Sequence, residues 1–235
     1  MQKNSAARGP RAVLFDFNGV IINDEPLHWR LMQEVLAAHD IPVAPADYDK
    51  FLGRADRACF AIALTASGRD ADAQNPRVID ALIAQKSALY MNAIARQDLL
   101  FPGVAELIRS LSGIHALAVV SGALRREIET ALEHGGIRDC FDVMISSEDV
   151  THSKPDPEGF LRALEQMNRT ASPEIRPDEC LVIEDSLHGV EAARRAGMRC
   201  LAVSHSYDAD RLAGAGAVVD TLAGCDLAAM FARMR

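Results

Sequence analysis

Long apolar runs are missing from this sequence of 235 residues. The run that begins at Ala12 is broken by Asp16 and Asn18, so it reads neither as a signal peptide nor as a membrane span. Basic residues are in deficit, with 25 Lys and Arg against 33 Asp and Glu for a net charge of -8. That balance argues against a broad nucleic-acid or anionic-membrane surface, which needs clustered cations, and leaves room for a small anion held by a few local donors. Cys59, Cys140, Cys180, Cys200 and Cys225 are scattered and form no C-x-x-C, the expectation for reduced, core-filling thiols in a cytoplasmic protein. Repeats and low-complexity segments are absent too. No G-x-G-x-x-G follows the first apolar run, and the nearest approach, Gly214-Ala-Gly216, comes late and precedes a strand pattern, which excludes the usual dinucleotide fingerprint. Ser121 lacks the G-x-S-x-G frame of a serine hydrolase, and none of the seven His lies in H-E-x-x-H.

What is present is alternation. Short runs rich in Val, Ile and Leu predict strands at Ala12–Phe17, Leu117–Ser121, Phe141–Ser146, Cys180–Glu184, Arg199–Val203 and Ala217–Val219. Amphipathic stretches between them predict helices at Val104–Leu111, Leu124–Glu133, Pro157–Met167, Leu187–Ala196 and Asp226–Met234. This is the pattern of a Rossmann-like α/β fold, a parallel sheet core flanked by helices. One region breaks it. After the first strand come only helical patterns, at Leu27–Ala38, Arg57–Ala66 and Val78–Ile94, which read as an inserted all-helical domain above the carboxyl end of the sheet. The expected organisation is a frayed tail over residues 1–10, an α/β core from 11–25 and 96–235, and a helical domain over 26–95. Ala95–Gly103 is the return linker, with Pro102 expected to open the next helix.

Chemistry gathers at four strand ends. Asp16 closes the first strand and Gly19 follows it, the place where open α/β sheets put their sites. Ser121-Gly122 closes the second, offering a hydroxyl and a backbone N–H before a helix whose N-terminus favours anions. Lys154 follows the third strand in S-K-P-D-P, with prolines on both sides of Asp156. The fourth ends in Glu184-Asp185, with Ser186 and Gly189 opening a helix. A hard cation such as Mg²⁺ prefers a few carboxylate oxygens with phosphate and water, which Asp16 and Asp185 can supply.

In that order the motifs D-F-N-G-V (Asp16–Val20), V-V-S-G-A (Val119–Ala123), S-K-P-D-P (Ser153–Pro157) and I-E-D-S-x-x-G (Ile183–Gly189) resemble those of the haloacid dehalogenase superfamily. Within it the likeness is to phosphatases and β-phosphoglucomutase-like members with a helical cap after the first strand. It runs from about Arg11 to the end, and D-E-P-L-H, Asp24–His28, is similar to the family's opening of the cap. The resemblance implies a Mg²⁺-dependent phosphatase of a small phosphorylated metabolite, working as a monomer or weak homo-oligomer without nucleic-acid or membrane partners. Asp16 is implied as the nucleophile that forms an aspartyl-phosphate. The Mg²⁺ ligands implied are Asp16, the Asn18 carbonyl and Asp185, with Glu184 as outer or alternative ligand. Ser121, the Gly122 N–H and Lys154 are implied as phosphate-binding groups.

Asn18 departs from this pattern, because phosphatases of the family usually carry there an Asp that protonates the leaving oxygen and then deprotonates water. Three readings stand: a slow or specialised phosphatase, a protein that binds a phosphate ligand without turnover, or an engineered Asp→Asn exchange. Asp24, Glu25 or His28 is a candidate to take over proton transfer, against a plain reading of Asp24 as an N-cap and Glu25 as a first-turn charge. In capped members the insert supplies substrate contacts, for which His28, Lys50, Gly53, Arg54 and Arg57 are the candidates. The alternative leaves both arginines solvated or pairs them with Asp56. Lys50 and Lys86 are the lysines to consider for Schiff-base chemistry, as in the phosphonate-cleaving relatives. Trp29 and Phe60, at helical spacing, read as core of the insert.

Overall fold

The computed structural model describes residues 9–44, 51 and 56–234. The chain divides into two compact units, one of Met1–Asn23 with Asp98–Arg235 and one of Asp24–Gln97.

The first unit is built on six strands, β1 (Ala12–Phe15), β2 (Ala116–Val120), β3 (Val143–Ile145), β4 (Cys180–Glu184), β5 (Arg199–Val203) and β6 (Ala217–Val219). Every pairing is parallel and the order is β3-β2-β1-β4-β5-β6. Parallel strands are covered on both faces, so their sequences are apolar throughout rather than alternating. Val13, Phe15, Leu117, Val119, Leu181 and Ile183 face one side with Ile108, Ile128 and Phe231. Their neighbours Leu14, Ala118, Val120 and Val182 face the other with Phe160, Leu164 and Ala193. Each large apolar side chain so buried contributes about 1.5–3 kcal/mol. The covering helices are α5 (Val104–Leu111), α6 (Arg125–His134), α7 (Glu158–Asn168), α8 (Leu187–Arg195) and α9 (Leu227–Arg233).

Strand order reverses between β1 and β4, since the chain builds β2 and β3 on one side of β1 before placing β4 on the other. Side chains just beyond these two strands therefore border the crevice that such a switch creates. Asp16 is held there by its N–H bond to the Ile183 carbonyl, 2.9 Å.

The second unit carries α1 (Glu25–Ala37), α2 (Asp56–Ala66), α3 (Asp70–Ala73) and α4 (Pro76–Ile94) around Met32, Leu36, Phe60, Leu64, Ile79 and Leu82. Phe60 is fully buried, and half-buried Trp29 packs against this core with its ring 5.5 Å from Phe51.

Several boundaries differ from the sequence reading. β1 stops at Phe15, so Asp16 and Phe17 lie beyond the ladder, and β3 is only Val143–Ile145. The single turn α3 is too short to leave a periodic signal. Pro102 does not open α5; Gly103 is its N-cap and Val104 its first residue. Gly9 and Pro10, read with the tail, are placed: Pro10 is buried and its carbonyl accepts from His115 Nδ1 at 2.7 Å. The return linker pairs with the outgoing chain through Asn23 N–H to Leu99 O, 2.8 Å, and Phe101 N–H to Ile21 O, 3.0 Å. None of the five cysteines is in a disulfide, and burial pushes the Cys180 thiol up to about 12, which suits a filler of the core. Among the described residues no helix is long and apolar enough to cross a membrane.

Candidate active site

Asp16, Asn18, Ser121, Gly122, Lys154 and Asp185 line one cavity of 490 Å³ at the carboxyl ends of the strands in the first unit. Asp16 is 8 % exposed and Asp185 4 %, so both carboxylates are largely removed from water. Lys154 Nζ donates to Asp16 Oδ1 at 2.5 Å, Glu184 Oε1 at 2.6 Å and the Val120 carbonyl at 3.1 Å. An ammonium has three protons to give, and these three acceptors use them.

Glu184 has no exposed surface. Its second oxygen accepts from the Asp185 and Ser186 N–H groups, each at 3.0 Å, and from Ser186 Oγ at 2.9 Å. The turn can close this tightly because residue 189 is glycine: a Cβ there would lie 1.8 Å from Glu184 Cδ. Gly19 is required on the other side of the site. Its φ of +77° is in the left-handed region, and a Cβ would lie 1.9 Å from Asp185 Oδ2.

Burial pushes Asp16 up to about 8, with Lys154 opposing and the charges of Glu184 and Asp185 adding to the rise. Burial likewise raises Asp185 to about 6, with a hydrogen bond from Ser206 pulling the other way. For Lys154, burial favours the neutral amine, but the charges of Asp16 and Glu184 and the hydrogen bonds to them reverse this and hold it well above the ordinary lysine value. Removal from water is the main cause of the upward shift of both acids, and the charges of the neighbouring carboxylates add to it.

Lys154→Met leaves Glu184 buried without its counter-charge, which costs about 3–5 kcal/mol where a buried pair is broken from one side. A urea unfolding midpoint lowered to match is expected, and Lys154→Met with Glu184→Gln is expected to recover part of the loss.

The Asn18 side chain reaches Ser121, whose Oγ donates to Oδ1 at 3.4 Å and accepts from the Ala123 N–H at 3.0 Å. The amino end of α6 is less open to an anion than the sequence suggests. The Leu124 N–H is taken by Glu127 Oε2 at 3.0 Å and the Arg125 N–H by Glu148 Oε2 at 2.8 Å. Carboxylates already satisfy these donors, which leaves Ser121 and the exposed Gly122 as this segment's candidates for an anion.

The candidates from the insert lie in the second unit. Lys50, Gly53 and Arg54 are outside the described residues. Arg57 forms an exposed ion pair with Asp80, not with Asp56; Asp56 instead pairs with buried Lys86. Lys86 Nζ also meets His28 Nδ1 at 2.9 Å, and His28 Nε2 meets Asp24 Oδ2 at 3.0 Å. Tyr90 donates to the same Asp24 oxygen at 2.7 Å, with its ring stacked on His28 at 4.6 Å. Asp24 stands at the N-cap position without a side-chain cap bond. Its carboxylate, His28 and Lys86 thus form one network tying α1, α2 and α4 together. Glu25 sits in the first turn of α1, where the helix dipole favours an acid.

The sequence reading missed His205 and Ser206, which follow β5. Ser206 Oγ donates to Asp185 Oδ2, and His205 Nδ1 donates to the Gly19 carbonyl at 2.8 Å. Their signal in the sequence is a fifth polar strand end, Ser204-His205-Ser206 directly after Val203.

A parallel sheet with buried carboxylates and a saturated lysine at its switch point is of the open α/β class, with its candidate site at the strand ends. Residues 10–197 match the haloacid dehalogenase-like hydrolase family, and the chain belongs to that family. It is 28 % identical over 213 residues to the validoxylamine A 7'-phosphate phosphatase of Streptomyces hygroscopicus subsp. limoneus, covering 90 % of this chain and 94 % of that one. It is 29 % identical over 210 residues to the phosphorylated carbohydrates phosphatase of Thermotoga maritima, covering 88 % and 92 %. Its fold matches CbbY from Rhodobacter sphaeroides, solved in complex with phosphate, with a TM-score of 0.73 and 26 % identity over 92 % of this chain and 96 % of that one.

Proposed function

We propose that this protein is a Mg²⁺-dependent phosphatase of small phosphorylated carbohydrates that works through Asp16. The observation that carries the reading is the fixing of one Asp16 oxygen by Lys154, itself held by buried Glu184, in the lining of a cavity that Ser121 and Asp185 share. The two phosphatases named above, which act on phosphorylated substrates by their names, and CbbY, solved with phosphate bound, support the same class.

Ligand oxygens of Asp16, Glu184 and Asp185 lie within 4.8 Å of one another. Oxygen donors with surplus negative charge suit a hard divalent cation. Asp16, Asp185 and the Asn18 carbonyl would hold it, whereas both Glu184 oxygens already accept hydrogen bonds, so its part is to hold Lys154. The chemistry supplied by bound Mg²⁺ is charge neutralisation on the transferring phosphoryl group. In the first step an Asp16 oxygen bonds to phosphorus as the bond from phosphorus to the leaving oxygen breaks. In the second, water attacks the phosphorus of the acyl phosphate, releasing inorganic phosphate and restoring the carboxylate. Ser121 Oγ and the Gly122 N–H bind phosphoryl oxygens, and Lys154 orients the nucleophile. Asn18 offers N–H groups to the leaving oxygen but no transferable proton.

The test is phosphate release from a panel of sugar phosphates with and without Mg²⁺, run beside Asp185→Asn. Turnover that is indifferent to both the cation and Asp185 overturns the reading. A phosphate-binding protein without turnover is the second reading, favoured by Asn18. It expects saturable binding of the same compounds with no phosphate released.

Cation binding also carries a pH signature. Folding raises Asp16 and Asp185 above the ordinary 3.8, so the metal-free fold favours their protonated forms. Their stabilising contribution is complete below that value and is lost as pH rises through about 6 and then about 8. Mg²⁺ competes with those protons. The rise in melting temperature on adding excess Mg²⁺ is expected to be larger near pH ~8 than near pH ~5.5, measured by scanning fluorimetry. An equal rise at both counts against Asp16 and Asp185 as ligands.

A further inference from the structure

His205 and Ser206 come from one short turn, yet they grip both segments that the cation reading assigns as ligands. Ser204, which opens the turn, bonds through its N–H to the Val219 carbonyl at 2.9 Å and through Oγ to Asp220 Oδ1 at 2.8 Å. That anchors the turn to the end of β6. From there Ser206 Oγ reaches Asp185 Oδ2. His205 Nδ1 reaches the Gly19 carbonyl, which fixes the proton of the imidazole on Nδ1. The ring lies flat on Phe101, centroids 3.8 Å apart and planes 14° from parallel, and the Phe101 N–H is bonded to the Ile21 carbonyl. His205 is thereby held by the segment that carries the Asn18–Gly19 turn.

Those ligand segments are remote in sequence and in contact in space, since Gly19 abuts Asp185 without room for a Cβ. A bond to one carboxylate oxygen restricts rotation of the group, and a bond to a peptide carbonyl restricts tilting of that peptide. Both restrictions spare a cation the cost of ordering its ligands on arrival.

We propose that His205 and Ser206 are positioning residues for the divalent cation: Ser206 sets the Asp185 carboxylate and His205 sets the Asn18–Gly19 turn before the ion binds. This rests on the cation reading given above. The alternative, that the hydroxyl merely satisfies a buried carboxylate, leads to loss of stability without selective loss of affinity.

The experiment is calorimetric titration of Mg²⁺ alone into the full chain, without substrate, with urea midpoints of the metal-free proteins measured in parallel. Ser206→Ala and His205→Leu are each expected to weaken Mg²⁺ about 10- to 100-fold, the range seen when groups behind metal ligands are removed. Ser206→Thr, which keeps the hydroxyl, and His205→Asn, whose amide can replace the Nδ1 donor, are expected to restore most of the affinity. If Ser206→Ala fails to fold without metal, the two His205 variants decide the matter. Affinities of Ser206→Ala and His205→Leu within about twofold of wild type, alongside an Asp185→Asn variant that binds Mg²⁺ far more weakly, overturn the positioning role and leave the cation reading intact. Weakening that the conservative variants do not rescue overturns it too. A wild type that takes up no Mg²⁺, or an Asp185→Asn variant that binds as well as wild type, brings down the cation reading and the positioning role with it.

Discussion

Asn18→Asp is expected to raise the turnover of phosphate monoesters by about 10²- to 10⁴-fold, which corresponds to about 3–5 kcal/mol of barrier. The leaving oxygen departs as an alkoxide unless a proton reaches it, and the water that opens the acyl phosphate must lose one. Asparagine can do neither. The position is well placed for both tasks, because Asn18 lines the cavity with Asp16 and is two residues beyond it. Ser121 Oγ, which donates to Asn18 Oδ1 at 3.4 Å, can donate equally to a carboxylate, so the exchange keeps this contact. It also adds a fourth carboxylate to a cluster already in surplus, and a steeper dependence on Mg²⁺ should accompany the gain. Steady-state rates on the best sugar phosphate, compared with wild type, are the measurement. An unchanged rate means that proton transfer at position 18 does not limit turnover, and it favours the reading as a phosphate-binding protein.

Asp16→Ala is expected to have the largest effect, removing turnover by about 10⁴-fold or more, the scale on which loss of a covalent nucleophile is felt. The substitution acts twice, deleting the atom that bonds to phosphorus and one of the proposed cation ligands. Comparison with Asp185→Asn separates the two effects. Asp185→Asn retains the nucleophile, so excess Mg²⁺ should rescue it partially, whereas Asp16→Ala should not respond. Trapping of a phosphorylated protein by rapid acid quench in wild type, and its absence in Asp16→Ala, gives a readout apart from rate. Phosphate release that survives in Asp16→Ala would falsify the nucleophile assignment.

Much of the α/β architecture was legible because its signals are local. Strands buried on both faces are written as unbroken apolar runs, and the helices between them as amphipathic ones, so alternation alone implies a parallel sheet. Strand ends were harder to fix. Phe17 extends the apolar run past the last ladder residue and is buried for packing rather than pairing, which is why β1 looked longer than it is. At the site, Asp16, Ser121, Lys154 and Glu184-Asp185 were visible as polar groups closing apolar runs. The resemblance already set Asp185 apart from Glu184, as ligand against outer or alternative ligand. What the sequence could not give is what occupies Glu184: it is taken up by Lys154, two backbone N–H groups and the Ser186 hydroxyl, while Asp185 faces the cavity.

In the insert, spacing suggested that Arg57 could hold an anion or pair with Asp56. Packing of α2 with α4 supplied each with a different partner, Asp80 for Arg57 and Lys86 for Asp56. Local periodicity says which face of a helix is apolar but not which charge on a distant helix lies opposite.

Residue type and spacing along single elements sufficed for the class of fold and the order of the strand-end groups, and likeness to the family's first motif for the departure at Asn18. Tertiary structure decided which donors remain for a ligand. It closed the amino end of α6 with Glu127 and Glu148, spent all three protons of Lys154, and brought His205 and Ser206 against Gly19 and Asp185. The physical reason is that a hydrogen bond is settled by distance and direction between atoms, and strand order brings together groups more than a hundred residues apart.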